Sequence, residues 1–123
     1  MWIHESFTSY TEAIYIECRW GLEKALTYLN GVKRTMVRNN KPIIGDYGVN
    51  AEGSGDMYFK GANMINTLRF VINDDEKWWN ILNNFTSEFK HTTTDTKSVV
   101  AFFEAETGLE LTPFFDQYLR YTK

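Results

Sequence analysis

The chain has 123 residues and a formal net charge of −3, with 13 basic and 16 acidic side chains interspersed. That length supplies one domain with one core, and the charge gives no electrostatic footing on nucleic acid or an anionic membrane. Apolar residues at 43% and aromatics at 16% exclude a disordered chain, and Cys18, the single cysteine, excludes an intrachain disulfide while leaving the redox compartment open.

No apolar run approaches the roughly eighteen residues of a membrane span. The first stretch, Trp2 to Glu12, reads as the start of a helix running from about His4 to Cys18. Phe7, Tyr10, Ile14 and Cys18 form its expected apolar stripe. Glu5 and Glu12, seven apart, project from one face two turns apart. Ordinary solvated glutamates explain that spacing as readily as a paired or metal-bound role does, since a buried carboxylate is costly without a partner. Trp20-Gly21 is expected to break or bend the helix.

Leu22, Ala25, Leu26, Leu29, Val32 and Met36 then step at three and four along a second amphipathic helix. From Asn39 to Asp56 the chain is irregular, punctuated by Asn40, Pro42, Gly45, Gly48, Gly53 and Gly55. A connection of that length in a compact domain is functional or mobile. Gly53-Ser54-Gly55 lacks the Lys-Ser/Thr and the preceding strand of a phosphate cradle.

Asp56 is expected to cap a third helix to about Ile72, with Met57, Ala62, Met64, Ile65, Leu68, Val71 and Ile72 inward. Asn73-Asp74-Asp75 ends it and caps a fourth helix carrying Trp78, Trp79, Leu82, Phe85 and Phe89, a stripe that reads as core. A fifth helix bears Val99, Val100, Phe102 and Phe103 and closes at Gly108; Thr112-Pro113 opens a sixth. About six helices and no convincing strand predict an all-α domain over residues 1–123.

Two segments carry a resemblance. W-I-H-E-S-F-T-S-Y-T-E at residues 2–12 resembles the W-L-N-E-G-F-A-x-Y-x-E segment of the zinc aminopeptidases related to aminopeptidase N and leukotriene hydrolase, the gluzincin group. Tyr58-Phe59-Lys60-Gly61-Ala62 resembles their Y-x-K-G-A segment. His4 stands where the family usually has Asn, and Ser6 where it usually has Gly. The resemblance implies the helical half of a thermolysin-like catalytic domain, Glu5 as a zinc ligand, Glu12 as an acid beside the site, and the Tyr58 hydroxyl as donor to the oxyanion of peptide hydrolysis. Taken without it, Tyr58 is a packed tyrosine at a helix start. Gly61, expensive inside a helix, is expected to let another backbone come close.

A catalytic zinc takes three protein ligands and a water, and a nearby Glu takes the water's proton. His4-Glu5 begins an H-E-x-x-H, but the fifth residue is Thr8; the other histidine, His91, reads as a surface residue. The family's G-x-M-E-N segment is also missing from these residues. The expectation is therefore part of a larger zinc aminopeptidase acting on peptides, whose remaining chain is its partner. Alone, the fragment should neither hold zinc tightly nor hydrolyse peptides, and apolar surface left uncovered favours self-association. The alternative is a non-catalytic helical interaction module derived from a peptidase.

Overall fold

Gly21 sets the first corner. Its φ of 94° is a conformation glycine adopts without cost, and it separates α1 (Trp2–Trp20) from α2 (Leu22–Thr27). α2 runs directly into a π-helical turn, Tyr28–Lys33. α3 (Asp56–Ile72), α4 (Asp75–Phe89), α5 (Thr96–Thr107) and α6 (Thr112–Leu119) follow. The computed structural model describes residues 1–45 and 54–122, and these form an all-α domain of six α-helices with no strand. Gly48 and Gly53 of the expected irregular stretch lie outside the described residues.

α1 and α3 make the most extensive helix pair. The buried positions on α1 are Trp2, Ser6, Ser9, Tyr10 and Ala13, so the inward face is centred on small residues. Phe7 and Ile14 pack at its margin, and Cys18, expected inside, is exposed. Small residues at Ser6, Ser9 and Ala13 let the two backbones come close, which moves Phe7 to the margin.

The expected second helix changes register at the π turn. Leu29 is buried as predicted, but Val32 and Met36 are 53% and 48% exposed. A wider turn bonds i to i+5 and carries every later residue round the axis, so a stripe extrapolated at α spacing comes out on the wrong side. Asp56, expected to cap α3, is 2% exposed and does something else. Its carboxylate accepts from Arg38 N at 2.9 Å and Asn39 N at 2.6 Å, holding the preceding connection against the start of α3. Val71, expected inward, is 49% exposed, because the last turn of α3 buries Leu68 and Arg69 instead.

The remaining helices follow their caps. Asp74 and Asp95 accept from Lys77 N and Ser98 N at the starts of α4 and α5. Asn73 and Gly108, both left-handed, end α3 and α5. The aromatic stripe of α4 is core at Trp78, which is fully buried; Trp79, Leu82 and Phe85 pack half-buried against the core, Phe85 stacking on Phe7 at 4.5 Å and on Phe103 at 5.6 Å, and Phe89 lies half-buried outside it. Ile43 is buried and Ile44 N donates to Leu119 O, which pins the connection after the π turn to α6. No helix among the described residues is long and apolar enough to cross a membrane.

Candidate functional site

Residues 2–12 and 58–62 meet where α1 crosses α3. Ser6 Oγ donates to Met57 O at 2.7 Å, a buried bond between residues 51 apart in the chain. Beneath it lies Gly61, as the sequence required: a Cβ there would stand 2.0 Å from Ser6 Oγ and 2.7 Å from Ser6 Cβ. Any side chain at Gly61 would push the helices apart.

Glu5 and Tyr58 are the immediate chain neighbours of this contact pair. Glu5 is half-buried on α1; Tyr58 is 37% exposed on the first turn of α3, its ring tilted against Phe59. Neither the Glu5 carboxylate nor the Tyr58 hydroxyl has a hydrogen-bond partner among the described residues.

Glu12 is committed. Its Oε2 accepts from the Tyr28 hydroxyl and lies 3.1 Å from Lys33 Nζ. Lys33 also sits over the Tyr28 ring at 5.1 Å and the Phe59 ring at 5.3 Å, tying α1, the π turn and α3 together. The Tyr28 hydroxyl, first, and Lys33 hold the Glu12 carboxyl below its ordinary value. Burial and then the hydrogen bond to Glu12 push Tyr28 up, and hydrogen bonding with Tyr28 and Glu12 pushes Lys33 up.

The π turn makes this arrangement possible. Tyr28 and Lys33 are five apart, about 140° round the axis of an α-helix, whereas the wider π turn brings them much nearer to one side. Both can then reach one carboxylate. The expected helix stripe hid these two residues; a polar pair at i, i+5 has no signature in α periodicity.

Along the same side of α1, Thr8, Thr11, Tyr15 and Ile16 join Glu12 and Tyr28 in an open groove of about 600 Å³. His4 lines a second groove of about 610 Å³, together with Ile3, Phe7, Phe85 and Phe89 and the polar residues Thr8, Thr86, Lys90, Thr92, Thr93 and Thr94. His91 is exposed at the end of α4 with φ 58°, in keeping with the surface role expected for it. Among the described residues no three His, Cys, Asp or Glu side chains come together as a metal site.

Other polar anchors were missed in the sequence. Arg69 is 3% exposed and reaches Glu17 through two bonds of 2.7 and 2.9 Å and Asp75 through two of 2.9 Å, with its guanidinium 4.9 Å from the Trp79 ring. Glu104 Oε1 accepts from Leu111 N, Thr112 N and Thr112 Oγ1, so α5 caps α6.

No family model matches the chain, and searches of curated proteins and of solved structures found no match. The resemblance at residues 2–12 and 58–62 rests on its motifs alone.

Proposed function

We propose that this chain is part of a zinc-dependent metallo-aminopeptidase that removes N-terminal residues from peptides. The observation that supports this reading is the α1–α3 crossing. Two segments with separate motif resemblances meet there, and the uncommitted side chains beside the contact are Glu5 and Tyr58. Bound zinc would supply a Lewis acid for the scissile carbonyl and lower the pKa of a water. Glu5 contributes one ligating carboxylate. The Tyr58 hydroxyl donates to the carbonyl oxygen as charge develops on it. Glu12, fixed by Tyr28 and Lys33, holds a negative charge two turns along the same helix. The remaining ligands and the general base belong to an H-E-x-x-H segment outside these 123 residues, so the chain alone is inactive.

Metal analysis of the polypeptide that joins this chain to an H-E-x-x-H helix tests the reading. Wild type should retain zinc through dialysis, and Glu5→Gln should lose it. Zinc kept equally well by Glu5→Gln overturns the ligand assignment.

The open groove on α1 favours a second reading, a helical interaction module without chemistry. Tyr15 in that groove and Trp20, edge-on to the Tyr15 ring at 6.1 Å, are 58% and 59% exposed and also supply a surface for self-association. An upstream coding sequence with no H-E-x-x-H favours the module. Light scattering decides the association, and a monomer across the accessible concentrations counts against it.

A further inference from the structure

Lys60 belongs to the Tyr58–Ala62 segment, yet the proposed chemistry leaves it unused. Its ammonium donates to Asn39 Oδ1 at 2.8 Å and to Tyr121 O at 2.7 Å, two neutral acceptors. An ammonium has three protons, so one donor remains. Burial pushes the Lys60 pKa down, against the pull of Asp56. Asp56 cannot turn toward it without loss, because both its oxygens already hold the Arg38 and Asn39 amides.

Lys60 opens into a cleft of about 420 Å³ between the π turn, α3 and α6. Arg34 lines the same cleft, and its guanidinium has no hydrogen bond or ion pair among the described residues. The other walls are neutral: the amides of Asn30 and Asn63, and Tyr118, whose hydroxyl donates to Thr67 Oγ1 at 3.1 Å. The described lining thus carries two cations and no carboxylate. Arginine's planar fork suits a two-oxygen acceptor, and an ammonium serves as a point charge beside it.

We propose that this cleft binds an oxyanion, a phosphate or a carboxylate, between Arg34 and Lys60. The proposal stands apart from the zinc reading, because neither Glu5 nor Tyr58 lines the cleft. A ligand here would complete the third donor of Lys60 and give Arg34 the partner it lacks. It would also link the π turn to α3 and α6.

Titration of the full chain with inorganic phosphate, followed by amide chemical shifts at constant ionic strength, tests it. Wild type should show saturable shifts confined to the residues around Arg34, Asn39 and Lys60. Losing one charge-assisted hydrogen bond should weaken binding about tenfold in Arg34→Gln and in Lys60→Met. Lys60→Met also frees Tyr121, so Arg34→Gln, which breaks no internal bond, is the cleaner variant. Lys97→Gln, away from the cleft lining, should bind as wild type does. A parallel titration with an acetylated dipeptide bearing a free C-terminus separates the two sources. Tighter phosphate points to a phosphate ester, tighter peptide to a chain terminus, and either supports the cleft. Unsaturable shifts, or equal weakening in Lys97→Gln, would overturn it.

Discussion

At Ser6, α1 touches α3 with little more than a hydroxyl between the backbones; about three turns later, at Glu17, it reaches α3 through an ion pair with Arg69. The first contact is steric. Its strength lies in close packing around Gly61 and one buried hydrogen bond, and neither depends on charge. The second is electrostatic, and removes a guanidinium from water only because two carboxylates and an indole surround it. One helix pair therefore has one end sensitive to volume and one end sensitive to protons. The proposed chemistry sits at the volume-sensitive end.

The sharpest way to break this contrast is Gly61→Ala. A methyl placed 2.0 Å from Ser6 Oγ forces the helices apart and should cost about 3 kcal/mol, the upper end of ordinary overpacking. Denaturant unfolding measures it, and Ser6→Gly in the same chain should recover part of the loss. Full stability of Gly61→Ala would mean that the crossing is looser than described. Arg69→Met comes next. It strands Glu17 and Asp75, but these carboxylates are 20% and 59% exposed, so the cost should be about 2 kcal/mol, below that of a fully buried pair.

Acid should separate the two ends. The Arg69 hydrogen bonds hold Asp75 below its ordinary 3.8, and the Tyr28 hydroxyl, first, holds Glu12 below 4.5. A carboxyl with a depressed folded pKa stabilises the fold above its unfolded pKa, and that contribution disappears as pH falls through the folded value. Stability should thus decline as pH drops below the range of those ordinary values, and decline less steeply in Arg69→Met. The penalty of Gly61→Ala should not change with pH. An equal acid slope in wild type and Arg69→Met would remove the clamp from the account. The smallest effect is expected of Tyr28→Phe, which loses an exposed hydrogen bond to Glu12 and should cost less than about 1 kcal/mol in thermal unfolding.

Elements and their ends were legible because caps, glycines and aromatic spacing act locally: Gly21, Asn73, Asp74 and Gly108 all do what their residue types suggest. Gly61 was legible too, since glycine inside an amphipathic helix needs a neighbour to explain it. The inward face of α1 was not, because periodicity ranks Phe7 above Ser6 and Ser9, while a tight crossing selects the small residues. Val32 and Met36 went astray for a different reason, a π turn that nothing in the residue types announces. Arg69 and Asp56 resist sequence reading altogether: a buried charge is recognised by partners such as Glu17 or the Asn39 amide, far off in the chain. At the candidate site, the motifs singled out Glu5, Glu12 and Tyr58, and the fold added Tyr28 and Lys33 as the groups that hold Glu12.

The central claim is that Glu5 and Tyr58 do different work at one crossing. Steady-state kinetics with zinc content, on the polypeptide that joins this chain to an H-E-x-x-H helix, tests it most directly. Tyr58→Phe should keep its zinc and lose about two to three orders of magnitude in kcat, while Glu5→Gln should lose the metal itself. Wild-type turnover in Tyr58→Phe would contradict the account.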